Sequence, residues 1–199
     1  VSGVKVYLTL NTLVSDGEIS GALEVAKNAC AAGADGFIVQ DIGLARLLKS
    51  ACPDMPLHAS TQMTVTSPSA LYELKELGFV RVVLAREMTR REIAELCETA
   101  HSLGMETEVF VHGALCMCVS GQCYMSAVIG RRSGNRGQCA QPCRLPCEGG
   151  YPLSLKDLSL IDYLTELQNT GVDSLKIEGR MKRPEYIAAA TAAFRQVLD

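Results

Sequence analysis

Short strand-like segments alternate along this chain with longer helix-like segments, at intervals of roughly 20 to 30 residues. Consecutive βα units produce this alternation and place their strands side by side in a parallel sheet. The predicted strands are Lys5–Leu10, Gly36–Gln40, Leu57–Thr61, Arg81–Arg86, Thr107–Val111, Leu153–Lys156 and Ser174–Glu178. The predicted helices are Glu18–Ala32, Ile42–Ala51, Pro68–Leu77, Arg90–Leu103, Leu158–Asn169 and Pro184–Leu198.

The number of predicted strands limits the choice of fold. Seven strands are one short of a closed (β/α)8 barrel. We therefore expect an α/β fold of the TIM-like (β/α) barrel type, incomplete, in one domain over residues 1–199. An open doubly wound sheet is the alternative, although no G-x-G-x-x-G motif follows any predicted strand.

Six of the nine cysteines lie in the stretch 113–151, which fits neither a helix nor a strand pattern. A loop of this length inside a compact domain is usually functional or disordered. Thiolates are soft ligands that suit zinc and iron–sulfur clusters, so we expect this Cys-rich loop to fold around a metal centre. Spacing alone leaves both metals open, because Cys139, Cys143 and Cys147 could also form a tetrahedral zinc site with Cys116 or Cys118.

Composition sets the broad class of the protein. The three scattered cysteines, Cys30, Cys52 and Cys97, are expected to be small buried side chains. An odd cysteine count in a chain with a sizeable core argues against a disulfide framework and for the reducing cytoplasm. No apolar run approaches the roughly 20 residues that span a bilayer, so no membrane partner is expected. A net charge of −3 requires neither nucleic acid nor an anionic membrane as partner.

Polar side chains follow the predicted strands at the point where each strand ends. In a β/α barrel these carboxyl ends form the functional rim. A polar residue after a strand also often caps a helix or turns the chain, so each one alone has an ordinary structural explanation. The residues concerned are Asn11, Gln40, Asp41, Thr61, Gln62, Arg86, Glu87, His112, Lys156, Asp157, Glu178 and Arg180.

Charged residues also occur inside two predicted strands. Side-chain alternation places Glu108, Phe110 and His112 on one face of their strand. It places Lys176 and Glu178 on one face of theirs. A charge buried in a parallel sheet is costly unless it is paired, so these residues should meet opposite charges or a ligand. A catalytic site and a structural ion-pair network are both consistent with this pattern.

Four stretches of the chain resemble the collagenase-like peptidase family U-32. The longest, E-V-F-V-H-G-A-L-C-M-C-V-S-G-Q-C-Y-M-S at 108–126, is similar to the family signature of a Glu, a Phe, a Gly and two Cys before a final Ser. The others are T-L-N-T-L-V at 9–14, G-N-R-G-Q-C-A-Q-P-C-R at 134–144 and S-L-K-I-E-G-R-M-K at 174–182. The resemblance covers nearly the whole chain and implies a TIM-type barrel that here lacks its first two N-terminal βα units.

The resemblance implies two kinds of activity. Some family members are iron–sulfur proteins of oxygen-independent hydroxylation, acting on rRNA, tRNA or a ubiquinone precursor, and the family name implies peptide hydrolysis. We expect hydroxylation of an rRNA or tRNA base, with a collagenase-like peptidase or a zinc-stabilised non-catalytic module as alternatives. Neither H-E-x-x-H nor G-x-S-x-G occurs, and His112 is the histidine that could pair with Cys116 in a cysteine protease.

The cluster ligands that the resemblance implies come from the Cys-rich loop. A 4Fe–4S cluster is expected on Cys116, Cys123 and Cys139. In several family members a further cysteine follows a Lys-Asp-Leu triplet, where this chain has Ser159. The fourth ligand is therefore Cys143, Cys147 or a non-cysteine group, unless one iron stays open.

Substrate-binding roles are expected around this centre. His112 and Glu108 would shape the pocket, and Lys176, Glu178 and Arg180 would bind a small anionic co-substrate similar to prephenate. RNA phosphates would meet the arginines of the Cys-rich loop, since arginine binds phosphate and stacks on bases. These arginines are Arg131, Arg132, Arg136 and Arg144. A solvated basic loop that only balances the charge of the thiolates is the alternative.

Overall fold

The protein is described here by a computed structural model over residues 3–179 and 182–199. Arg180, one of the predicted site residues, lies outside the described residues. Seven strands form one sheet. They are β1 (Tyr7–Leu10), β2 (Gly36–Val39), β3 (Leu57–Ala59), β4 (Phe79–Val83), β5 (Glu106–Gly113), β6 (Leu158–Ser159) and β7 (Ser174–Ile177).

Helices follow most of the strands, as the alternation predicts. They are α1 (Ile19–Ala31), α2 (Ile42–Ala51), α3 (Pro68–Glu76), α4 (Arg90–Ser102), α5 (Met125–Gly130), α6 (Leu164–Asn169) and α7 (Pro184–Leu198). Local signals in the sequence fix several of the starts. Asp41 accepts a hydrogen bond from the amide of Leu44 at the start of α2, and Thr89 and Glu92 form a capping box at the start of α4.

The strands are arranged as a partial barrel. Strands β1 to β5 pair in parallel and in chain order, and β7 adds in parallel to the free edge of β5. The apolar face of this sheet packs against the helices. The largest fully buried side chains of that core include Phe37, Phe79, Leu44, Leu48, Leu57, Leu71 and Leu96. Cys52 and Cys97 are buried as predicted, and Cys30 is half-buried.

The predicted strand Leu153–Lys156 is wrong. Its backbone is engaged elsewhere, because the Arg144 guanidinium donates to the carbonyl of Leu155 and the amide of Ser154 donates to the carbonyl of Tyr151 at 3.1 Å. The strand forms further along the chain, at Leu158–Ser159, and pairs antiparallel with the end of β5. The predicted helix 158–169 therefore begins only at Leu164.

The Cys-rich loop contains a short helix that the sequence pattern did not indicate. Helix α5 is held by Ser126, a buried residue whose hydroxyl accepts a hydrogen bond from the amide of Ala140 at 2.9 Å. This contact joins the second half of the loop to the first. Across residues 3–179 and 182–199, no helix is both long enough and apolar enough to cross a bilayer.

Candidate active site and metal centre

Glu108 lies at the centre of an ion-pair network on the face of the sheet that carries Lys176. The Lys176 ammonium donates to its carboxylate at 2.6 Å, and the Ser174 hydroxyl donates at 2.9 Å. Arg81 of β4 lies 3.6 Å away. Burial alone would raise the pKa of Glu108, but the charge and hydrogen bond of Lys176, together with Ser174 and Arg81, lower it below its usual value. The prediction that Glu108 and Lys176 meet opposite charges is confirmed.

His58 extends this network toward β1. It is opposite Arg81 in the register of β3 and β4, and its ring lies 4.6 Å from the ring of Tyr7. The side chain is buried. Burial is the main cause that lowers the pKa of His58 to about 4, and the positive charge of Arg81 adds to it. His58 is therefore a neutral, buried partner of the network at neutral pH.

We expect His58 to make the protein acid-sensitive between pH 6.5 and pH 4. In this range the unfolded chain binds a proton on the imidazole and the folded chain does not. The part of the unfolding free energy that is linked to His58 is therefore fully present above pH 6.5 and is lost as the pH falls toward 4. The loss should reach about 3 kcal/mol of unfolding free energy. Urea unfolding of the wild type and of His58→Gln at pH 7.5 and 4.5 measures it. Equal losses in both proteins would contradict the assignment.

Arg86 joins three parts of the barrel rim. Its guanidinium lies 3.8 Å from the ring centre of Phe110, donates to the Glu178 carboxylate at 3.2 Å, and lies 3.9 Å from the sulfur of Cys116. The side chain is 13% exposed. The sequence places Arg86 at a strand end but gives it no role, whereas in the structure it is the residue that brings Cys116 and Glu178 together.

His112 faces away from this group. Its Nε2 is 2.8 Å from the Tyr186 hydroxyl, and its ring packs edge-on against Phe194, both residues of α7. The cause is a register shift in β5, where Phe110 pairs with Lys176 but His112 already pairs with Ile177. The prediction that His112 shares the face of Glu108 and Phe110 is therefore wrong.

The first half of the Cys-rich loop is fixed to the barrel rim by close contacts. The Glu87 carboxylate accepts from the amide of Ser120 at 2.7 Å and from its hydroxyl at 3.0 Å. Gly121 has φ +73°, and a Cβ there would lie 2.3 Å from the carbonyl oxygen of Gln62. Only glycine allows this approach, so the loop lies directly on the turn that follows β3.

Two of the four predicted RNA-binding arginines hold the loop in place. Arg144 donates to the carbonyl of Leu115 at 2.9 Å, in addition to its contacts with the segment after the loop. Arg136 donates to the carbonyl of Leu13 at 2.8 Å and pairs with Glu18. The hydrogen bond from Arg136 is the main cause that lowers the pKa of Glu18 to about 2.

Arg131 and Arg132 remain exposed at the end of α5. Arg132 donates through Nε to the carbonyl of Gln138 at 3.0 Å. Neither residue forms an ion pair with any residue in 3–179 or 182–199. Both guanidinium groups are therefore available to an anionic partner.

The thiol of Cys116 is influenced by three other thiols of the loop. The residue keeps an exposed surface, yet the protein atoms around its sulfur desolvate a thiolate, and this is the main cause that raises the pKa of Cys116. Arg86 acts in the opposite direction, and the charges of Cys139, Cys143 and Cys123 raise the pKa further. These four cysteines therefore form one electrostatic group.

The sulfur atoms of this group are not at metal-ligating distance. Within the described ranges, no three Cys, His, Asp or Glu side chains stand close enough together to hold an ion. Burial is the main cause that raises the pKa of Cys118, and the neighbouring Cys123 thiol raises it further. Cys147 is exposed, and its backbone forms an isolated β-bridge with Gly150. The donor set fits a thiolate centre by type and number, and the loop must draw its sulfurs together to bind one.

Two further strand-end residues have structural roles. Asp41 caps α2 and also accepts from the amide of Val14 at 3.2 Å. Asp157 accepts from the Lys182 ammonium at 3.1 Å. The ordinary explanation, a cap or a turn, therefore applies to these two positions.

The sequence profile of peptidase family U32 matches residues 1–199. The chain belongs to peptidase family U32.

The relatives of this U32 chain are named for two different activities, RNA hydroxylation and collagen cleavage. The 23S rRNA 5-hydroxycytidine C2501 synthase of Escherichia coli is 38% identical over 208 residues, which cover 99% of this chain and 31% of the relative. The tRNA hydroxylation protein P1 of Bacillus subtilis is 34% identical, with 99% and 50% covered. A collagenase of Porphyromonas gingivalis is 33% identical, with 99% and 52% covered. The U32 chain thus spans about half the length of these relatives, or less.

Solved structures similar to the U32 chain support the fold. A glycerophosphodiester phosphodiesterase from Parabacteroides distasonis aligns with a TM-score of 0.54 at 11% identity, over 100% of this chain and 60% of the other. A U32 peptidase aligns with a TM-score of 0.50 at 14% identity, over 90% and 86%. At this identity the likeness concerns the fold alone. Together with the parallel sheet, it confirms the prediction of an incomplete α/β barrel of the TIM type.

Proposed function

We propose that this chain forms the catalytic barrel of an RNA hydroxylase that acts on a base of rRNA or tRNA. The observation that carries the proposal is the position of the Cys-rich loop on the barrel rim, where Arg86 brings Cys116 and Glu178 together. In β/α barrels the carboxyl ends of the strands are where substrates react. The names of relatives that match 99% of the chain supply the substrate class and the reaction.

We infer that the loop holds an iron–sulfur cluster on Cys116, Cys123 and Cys139. Cys143 is our proposed fourth ligand, because the adjacent Arg144 donates to the carbonyl of Leu115, the residue before Cys116. When bound, such a cluster supplies electron transfer, and an iron with an open site also activates what binds to it. A structural zinc ion on the same thiols is the competing proposal.

The residues of the rim have distinct tasks in this proposal. The guanidinium of Arg86 offers its remaining N–H groups to a small anionic co-substrate, whose carboxylate would compete with Glu178. Phe110 keeps the guanidinium in place by stacking. Lys176 donates to the Glu108 carboxylate at 2.6 Å, so its task is to hold Glu108 in place and to add positive charge to the site.

RNA binding is assigned to the exposed end of α5. Arg131 and Arg132 are exposed there, and among the described residues only Arg132 donates one hydrogen bond to the loop, whereas Arg136 and Arg144 hold the loop through several contacts. Tyr124 at the start of the same helix is 63% exposed and offers a ring on which a base can stack. The substrate strand would thus approach the rim along α5.

Deletion of the gene should remove one hydroxylated pyrimidine from the RNA of the organism. Mass spectrometry of nucleosides from purified rRNA and tRNA would show a loss of the mass of one oxygen atom at a single position. Expression of the wild-type gene should restore the hydroxyl, and the Cys116→Ser gene should not. An unchanged nucleoside profile in the deletion strain would contradict the proposed function.

A peptidase is less well supported by the site. The thiolate of a cysteine protease needs an imidazole within hydrogen-bonding reach, and His112 instead contacts Tyr186 and Phe194 of α7. His58 is buried beside Tyr7 and His101 pairs with Asp173. Cleavage of denatured collagen by the wild type, lost in Cys116→Ala, would favour the peptidase.

A further inference from the structure

Two glutamine side chains on the barrel rim carry buried amide oxygens with no partner. In the described part of the chain, neither Oε1 of Gln40 nor Oε1 of Gln62 accepts a hydrogen bond. Gln40 is only 9% exposed as a residue. Buried polar atoms are almost always paired, and each unpaired one lowers the stability of the fold.

Both glutamines lie at carboxyl ends of neighbouring strands. Gln40 directly follows β2, and the amide of Ser60 donates to the carbonyl of the preceding Val39 at 2.8 Å, so the ends of β2 and β3 are adjacent. Gln62 lies in the single turn Thr61–Met63 after β3. The two amides therefore belong to one side of the rim.

The Cys-rich loop adjoins the same side. Gly121 packs on the backbone of Gln62, and the Gln122 side chain donates to Thr64 at 3.3 Å. Gln62 therefore lies where the loop that carries Cys116 and Cys123 contacts the rim, and Gln40 follows the adjacent strand. A base bound between the loop and the rim would meet these two strand ends.

We propose that Gln40 and Gln62 recognise the target base of the RNA by hydrogen bonds to a pyrimidine edge. This inference rests on the proposed function. A carboxamide offers both an acceptor oxygen and an NH2 donor, so it can pair with the amino group of cytosine or with a carbonyl of uracil. The amide oxygens then have no hydrogen-bond partner in the free protein because the substrate base supplies that partner.

A structural role makes the opposite prediction for stability. If the amides only bound ordered water or fixed the fold, an apolar replacement would leave donors unpaired and lower the melting temperature. If they await a substrate, Gln40→Met removes an unpaired oxygen and should raise the melting temperature by about 2–4 °C. Gln196→Met, at an exposed position of α7, is the matched control and should leave it unchanged.

Base recognition is measured by fluorescence anisotropy with labelled RNA strands of about 12 nucleotides. The strands are identical except for a central cytidine, uridine or abasic site, and the protein is the anaerobically purified chain. We expect the wild type and Gln196→Met to bind either the cytidine or the uridine strand about 5- to 150-fold more tightly than the abasic strand. Gln40→Met and Gln62→Met should bind all three strands equally, with the affinity for the abasic strand unchanged.

The outcomes separate this inference from the proposed function. Base preference that persists in both variants overturns the inference and leaves RNA hydroxylation intact. A lower melting temperature or a misfolded Gln40→Met protein overturns it as well, because the amide is then structural. A wild type that binds none of the strands, in an organism whose RNA loses no hydroxyl on deletion, ends the proposed function and the inference together.

Discussion

Replacing Glu108 with glutamine should cost the protein about 3 kcal/mol of its unfolding free energy. The change keeps the size of the side chain but removes the charge that Lys176 contacts at 2.6 Å and Arg81 at 3.6 Å. The Lys176 ammonium would then face a neutral amide in a largely buried site, while Arg81 keeps its ion pair with Glu106. Urea unfolding at pH 7.5 measures the loss directly.

A surface ion pair provides the control for this experiment. Glu166 pairs with Arg90, and the two side chains are 48% and 67% exposed. Glu166→Gln should cost less than about 1 kcal/mol, because exposed pairs contribute little. A Glu108→Gln protein as stable as Glu166→Gln would show that the network carries no net stabilisation. Because the pKa of Glu108 is lowered in the folded protein, its contribution is present near neutral pH and is lost as acid protonates it.

Replacing Cys116 with serine should abolish the RNA hydroxyl and the bound cluster together. Serine keeps the shape of the side chain but removes the sulfur atom that would bind the metal as a soft thiolate. The same sulfur atom lies beside Arg86. We expect at least a 100-fold loss of hydroxylated nucleoside in the complemented deletion strain. Iron and sulfide in the purified variant should fall in parallel.

Cys30→Ser is the matched control, since Cys30 lies half-buried on α1, outside the Cys-rich loop. It should keep both the hydroxyl and the metal content of the wild type. A Cys116→Ser protein with full hydroxylation would remove this residue from the site. Loss of the hydroxyl with full iron content would assign Cys116 a role other than ligation.

The alternation of strand-like and helix-like segments was sufficient to predict a parallel α/β sheet, and the family resemblance favoured the barrel over an open sheet. Strands β1, β2, β3, β5 and β7 lie within or close to their predicted bounds, because alternating or continuous apolar runs and following helices define them. The failure at Leu153–Lys156 involves a contact from the Cys-rich loop, since Arg144 donates to the carbonyl of Leu155, a group that a strand ladder would use. No local pattern encodes that contact.

The sequence predicted only part of the candidate site. Glu108 and Lys176 were found because a charge inside a buried strand needs a partner. His112 was assigned to the wrong face because strict alternation cannot anticipate the register shift in β5. Arg81 was also overlooked, although a charge within a predicted strand is the same signal that identified Glu108.

The metal content of the chain, purified without oxygen, tests the central claim most directly. The claim is that thiols of the Cys-rich loop converge on an iron–sulfur cluster beside Arg86 and Glu178. We predict iron and acid-labile sulfide in about equal amounts, close to four of each per chain, with brown colour. A colourless protein with one zinc ion per chain and neither iron nor sulfide would contradict the account.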